Sequence, residues 1–311
     1  MESISSLDTK AGVTLAFVGA FLGMGKKSIG IEGDFLGVGF LEALGVEKYA
    51  NISPTIARLR SIKDKEEIKN IERSVKISEK AMEEVFHEIE EGKSEKEISG
   101  FFDYAAKHGG AGETKARVMV GKNTSKPFQW LSGEVIKEGP LMIDYGTTWK
   151  KYWTDITRTF YLGKPARDFE EVYGAVVDAQ KEGIKLAKAE EEIASVDVAV
   201  RGVLKEYGYE KYIVYASGHG CGLEHEEPPV ITAEKGISEP YAHVPFAGDE
   251  MEELYKLAGA EKEVFKENMV MTLEPGLYLE KFGVRIEDMI LIRKRAKVLS
   301  SFPKSLERVM I

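Results

Sequence analysis

The stretch MIDYGTTWKKYWTDITRTF, residues 142–160, carries two aspartates, Asp144 and Asp155, among apolar, aromatic and β-branched residues. Those residue types favour strands, so the stretch reads as a hairpin. A pairing that sets Asp144 opposite Asp155 centres the turn between Trp149 and Lys150. Directly opposed residues share one face, with Cβ atoms about 4.5–5.5 Å apart. Two carboxylates that close repel one another, more strongly where water is excluded. A shared proton, a basic neighbour or a cation has to offset that repulsion.

A second stretch passes the same test. MVMTLEPGLYLEKFGVRIEDMILI, residues 269–292, also reads as a strand pair, and a turn at Glu280-Lys281 sets Glu274 opposite Glu287. If the two hairpins face each other, four carboxylates converge, a charge that a buried site does not tolerate unneutralised. Two divalent cations balance it. His219, in the glycine-rich SGHGCGLEHEEPP of residues 217–229, adds a nitrogen donor. A set dominated by oxygen suits Mn, Co, Fe or Zn better than a soft metal. Taken singly, an acidic pair is more often a salt bridge and a lone histidine a core residue. The combination is what points to metal.

Outward from the hairpins, one order of elements occurs twice. Asp64 with Glu67 makes a capping box, and Ile68, Ile71, Val75, Met82, Val85 and Ile89 follow at helical spacing as far as Gly92. Ser94 and Glu97 cap a second helix towards Lys107, and a strand follows over residues 116–120. The order returns as a helix over residues 168–189, a shorter one from Ser195 towards Gly208, a strand over 212–216 and then the second hairpin. Two similar αα-ββ halves around a shared cleft imply an α+β fold, with helices covering one face of a curved antiparallel sheet. Residues 248–267 read as a polar surface helix inserted in the second half.

The length of 311 residues allows a large domain over residues 61–311 and a small, truncated N-terminal α/β unit over residues 1–60. The net charge of -9, from 43 basic and 52 acidic residues, excludes the concentrated basic surface that nucleic acid needs. A single cysteine, Cys221, rules out an internal disulfide and makes a reducing cytoplasm the expected setting. Its glycine-rich surroundings offer nothing to activate it as a nucleophile. The uncharged run over residues 11–25 includes four glycines and falls short of the roughly 20 apolar residues a membrane span needs. No cleavage site of the A-x-A kind follows it, so it is expected to be a buried strand or helix, with no membrane partner.

With these residues in view, DYGTTWKKYWTDITRTF, GHGCGLEHEEPP and EPGLYLEKFGVRIED resemble the three metal-site signatures of the pita-bread metallopeptidases. Within that family they are most similar to the proline-specific branch, the Xaa-Pro aminopeptidases and prolidases. LRSIKDKEEI, residues 59–68, resembles the junction after that branch's N-terminal domain. The resemblance implies the pita-bread fold, a homodimer, and a peptide substrate with proline at its second position. It implies two divalent ions, Mn or Co ahead of Zn or Fe. Their ligands would be Asp144, Asp155, His219, Glu274 and Glu287, with Asp155 and Glu287 bridging. Glu274 would also handle the proton of the attacking water, His225 would approach the substrate carbonyl, and Arg285 would support the metal carboxylates from behind.

Three positions depart from the family pattern. A histidine is expected after a proline shortly before the first aspartate, where this chain has Pro127-Phe128; neighbouring Gln129 offers only a neutral donor. The loop from His219 to His225 is one residue shorter than usual. Pro229 stands where prolidases often carry an arginine that holds a dipeptide carboxylate, which favours removal of an N-terminal residue from longer peptides. Three readings follow: an Xaa-Pro aminopeptidase, ahead of a dipeptide-only prolidase; a weak or inactive peptide-binding module, because of Phe128; and a creatinase-like hydrolase or metal-dependent lyase acting on a non-peptide substrate.

Overall fold

The computed structural model describes residues 29–31, 49–233 and 263–305. The expectations for residues 11–25 and for most of 248–267 lie outside these. The chain divides into two compact units, Met1–Leu59 and Arg60–Ile311. In the first, β1 (Ile29–Ile31) and β2 (Tyr49–Asn51) form a parallel pair; α1 (Ser53–Ser61) begins there and ends in the second.

In the second unit, α2 (Lys65–Phe86) starts at the predicted box. The Asp64 carboxylate accepts from the Glu66 and Glu67 amides, and the Glu67 carboxylate accepts from the Asp64 N–H. Its Ile71, Val75, Met82 and Val85 are buried, as the spacing requires. A second box, Ser94 with Glu97, opens α3 (Glu95–His108). These helices cover β3 (Thr114–Val120), β4 (Gly139–Trp149), β5 (Tyr152–Trp153) and β6 (Ile156–Leu162). In this antiparallel sheet β4 lies between β3 and β6.

The first hairpin departs from the expected register. Asp144 faces Thr157, Tyr145 faces Ile156 and Trp149 faces Tyr152. Asp155 therefore sits two positions along, in the break between β5 and β6, and not opposite Asp144. The turn is at Lys150 and Lys151, whose φ values of 50° and 74° are both left-handed. A type I′ turn demands this and matches the twist of its strands, so turn geometry sets the register and the carboxylates fall where it puts them.

The second half contains α4 (Arg167–Leu186), α5 (Ile193–Glu206), β7 (Gly218–Gly220), β8 (Glu227–Ile231), β9 (Val270–Leu273), β10 (Gly276–Tyr278), β11 (Gly283–Arg285), β12 (Asp288–Leu291) and β13 (Lys297–Val298). A sheet of order β13-β12-β9-β7-β8 is joined by the separate pair β10-β11. The strand expected over residues 212–216 does not form. Glu210–Tyr212 is a turn of 3-10 helix, and the buried Tyr215 turns its ring towards Tyr278 and Phe128. Strand pairing begins only at Gly218.

Here the hairpin keeps the expected register: Leu273 faces Asp288 and Gly276 faces Arg285. Pairing is interrupted between those rows, and Glu274 and Glu287 occupy the interruption. Gln180 of α4 closes it, its Nε2 donating to Leu273 O and Ile286 O, 3.1 Å each. The two hairpins meet where Glu287 bridges to Thr157. Among the described residues no helix is long and apolar enough to cross a membrane.

Candidate metal centre

Asp144 reaches the centre from the regularly paired middle of β4, and the other three acids from backbone irregularities. Asp155 leaves the β5–β6 break, and Glu274 and Glu287 leave the break in the second hairpin. His219 lies between two glycines for a steric reason. A Cβ on Gly218 would come within 2.3 Å of Thr272 O, and one on Gly220 within 2.5 Å of Glu227 O, so only glycine lets β7 lie so close to its neighbours. The His219 backbone N–H donates to Thr272 Oγ1 (3.0 Å), which donates to Glu274 Oε1 (3.2 Å).

The seven side chains singled out in the sequence converge. Asp144, Asp155, His219, Glu274, Arg285 and Glu287 are all buried. His219 Nε2 is 3.2 Å from Glu274 Oε1 and 3.7 Å from Asp155 Oδ2, and His225 Nε2 is 2.9 Å from Asp155 Oδ2. His219 Nδ1–H donates to Gly220 O at 2.8 Å, which leaves Nε2 as the ring's ligand atom. Arg285 acts as a buried hub: Nη2 donates to Asp144 Oδ2 (2.8 Å), Nε to Thr157 Oγ1 (3.0 Å) and Nη1 to Pro127 O, Tyr215 and Tyr278. Thr157 in turn donates to Glu287 Oε2 at 2.7 Å.

The acids are not equally served. Burial by itself raises the Asp144 pKa, but Lys115, Arg285 and Arg117 outweigh it and hold the carboxyl well below its usual range. For Glu287, burial and the neighbouring Asp155, Glu274 and Asp144 push the pKa well above the usual range. Burial lowers the His219 pKa, yet the Glu274 carboxylate carries it up to about 10. Glu226 falls to about 2 against its burial, held by His225 and His219.

The donor set fits divalent cations. Asp155 Oδ1 and Glu287 Oε1 are buried without a donor, and Asp144 Oδ1 is buried with the Lys115 ammonium 3.3 Å away, an expensive state for carboxylate oxygens unless something else binds them. Two groups are close enough to hold an ion: Asp144, Asp155 and His225, and Asp155, His219 and Glu287. Cys221 plays no part. Its thiol donates to Trp153 O, and burial pushes its pKa up.

Phe128 stands beside the centre as part of an apolar group with Met119, Met142, Tyr215 and Tyr278. The Gln129 amide donates to Trp130 O. Two site residues escape the sequence reading, Lys115 and Arg117, whose cations lie 3.3 and 3.7 Å from Asp144. Their period-two placement on β3, two positions apart, was the available signal. A third is Gln180, which no sequence pattern marks.

Comparison with known proteins places these residues in context. Residues 69–294 match metallopeptidase family M24. The chain is 34% identical over 288 residues to the Xaa-Pro dipeptidase of Pyrococcus furiosus, covering 90% of this chain and 75% of that one. Among solved structures, the prolidase of Pyrococcus horikoshii superposes with a TM-score of 0.81 at 33% identity, over 94% of this chain and 78% of that chain. The X-Pro aminopeptidase of Thermotoga maritima gives 0.79 at 28% identity, over 96% and 80%.

Proposed function

The chain belongs to metallopeptidase family M24, and from that premise we propose that it hydrolyses the bond preceding a proline at the second position of a peptide. Two divalent ions, Mn or Co, would be held by Asp144, Asp155, His219, Glu274 and Glu287. The observation that carries this is the gathering of buried carboxylates beside His219 Nε2, with Asp155 Oδ1 and Glu287 Oε1 left without a donor. When bound, the ions supply Lewis acidity that makes a water nucleophilic near neutral pH. Glu274 takes the proton from that water and returns it to the departing proline nitrogen, as a general base and then a general acid. His225 offers an N–H to the carbonyl oxygen as it gains charge. Arg285 fixes Asp144 directly and Glu287 through Thr157.

On chain length, the reading is an aminopeptidase acting on peptides longer than two residues. Pro229 supports it: an uncharged side chain there offers a dipeptide's carboxylate no partner. The test is a panel of Xaa-Pro and Xaa-Ala peptides of two to five residues, assayed with Mn, Co and Zn after chelation. Cleavage confined to the proline series, restored by metal and lost in Glu274→Ala, is the expected outcome. No turnover with any of the three metals refutes it. Phe128, held in an aromatic group where the family pattern has a histidine, favours a second reading, that of a peptide-binding domain with slow hydrolysis. Tight binding of the proline series with turnover about 10²–10³-fold below that of Phe128→His supports the second reading.

A further inference from the structure

β3 faces β4 with Arg117 opposite Asp144 and Lys115 opposite Gly146. Directly opposed residues share a face, so both cations lie on the side of the carboxylates. Gly146 has no side chain to obstruct the lysine, and a Cβ there would lie 3.6 Å from His225 Nε2. The lysine crosses this gap. Its Nζ sits 3.3 Å from Asp144 Oδ1, 3.9 Å from Asp155 Oδ2 and 3.1 Å from His225 Nε2. Those three partners are the members of one of the two ion-holding groups. The other group has no such occupant: among the described residues no lysine or arginine pairs with Glu287, whose Oε1 accepts nothing.

We propose that Lys115 is an internal competitor for one of the two cation positions. Its ammonium sits against Asp144 Oδ1 and Asp155 Oδ2, two of the proposed ligands, with His225 beside it, and a divalent ion reaches that pair only by displacing it. The Asp155–His219–Glu287 position meets no such competition. This rests on the metallopeptidase reading and adds to it a residue of this chain, Lys115, that weakens one of the two affinities. Asp144 already has Arg285 and Arg117 on its other oxygen, so a positive ion arriving beside Lys115 is repelled at short range by a charge that has to move. It has somewhere to go, because a quarter of the lysine side chain (25%) faces solvent.

The experiment is a calorimetric titration of the chelator-stripped full chain with Mn(II), at fixed pH and salt. The expected result is one tightly bound ion and a second at least tenfold weaker. Lys115→Met strengthens the second ion tenfold or more and leaves the first within twofold. Lys115→Arg, which keeps the charge, keeps the original gap. Lys115→Gln, titrated in parallel, reports the same loss of charge if the methionine variant does not fold. Two equal affinities in the unaltered chain overturn the inference, as does an unchanged second affinity in the neutral variants. An arginine variant that behaves like methionine overturns it too. If the unaltered chain binds no ion at all, the metallopeptidase reading itself falls, an outcome distinct from the others.

Discussion

The β4–β6 hairpin takes its support from α2, whereas the β9–β12 hairpin takes its support from α4, and the chemistry differs. In the first, the Ser74 hydroxyl donates to Thr147 O (2.8 Å), while Ser78 Oγ lies 2.9 Å from Thr147 Oγ1 and 2.7 Å from Thr154 Oγ1. Several short hydroxyl groups share the work. In the second, the single carboxamide of Gln180 holds the carbonyls before both glutamates. Charge is divided just as unevenly. Three cations surround Asp144, while Glu287 has only the Thr157 hydroxyl and an unpartnered oxygen. The Asp144 carboxylate is therefore compensated before any ion arrives, and Glu287 is where a cation relieves the most strain.

The sharpest way to break this contrast is to neutralise one acid on each side. Asp144→Asn strands Arg285, a fully buried cation, and should destabilise the metal-free protein by about 3–5 kcal/mol, the usual penalty for breaking a buried pair. Glu287→Gln removes an acid that nothing compensates, so the metal-free melting temperature should hold or rise. Adding Mn(II) at roughly a thousand times its dissociation constant stabilises a native state by about 4 kcal/mol, on the order of 10 °C for a unit of this size. Glu287→Gln should lose that rise. Equal melting temperatures for the two metal-free variants would end the idea that the hairpins are charged unequally.

A smaller effect separates the two supports. Gln180→Met leaves two buried carbonyls without donors, and about 2–3 kcal/mol should be lost on urea unfolding. Ser78→Ala removes one hydroxyl from a group whose other members remain, and about 1 kcal/mol is expected. If the serine variant cost as much as the glutamine one, the sharing of load in the first hairpin would be wrong.

What the sequence made legible follows the same division. The second hairpin's register was readable because its opposed glutamates coincide with the pairing on either side of the break, Leu273 with Asp288 and Gly276 with Arg285. The boxes at Asp64–Glu67 and Ser94–Glu97 were readable because a cap is local chemistry, decided within four residues. Lys115 and Arg117 were not, since a basic residue at alternate strand positions has the same pattern as a solvated face. Only the pairing of β3 with β4 turns them towards Asp144. The stretch over residues 212–216 has strand-like residues, but Tyr215 packs towards Tyr278 and Phe128, and a long-range contact of that kind leaves no local signal.

The first hairpin's register escaped for a reason that can itself be tested. Lys150 and Lys151 both adopt left-handed backbone, where a side chain costs roughly 1–2 kcal/mol per residue and glycine or asparagine less. Nothing about two lysines announces such a turn, and the strands around them impose it. Replacing them by the pair that favours type I′, Lys150→Asn with Lys151→Gly, removes conformational strain. It also removes the exposed pair between Lys151 Nζ and Glu113 (3.0 Å), which is worth little in water. A net gain of about 0.5–1 kcal/mol should appear as a higher urea midpoint with an unchanged slope. Because the turn would be the same turn, Asp144 would still face Thr157, and Mn(II) affinity should stay within twofold. A gain in stability with altered metal affinity would mean that the lysines had held the pairing away from its preferred register, and that the offset of Asp155 from Asp144 is a property of their side chains and not of the turn.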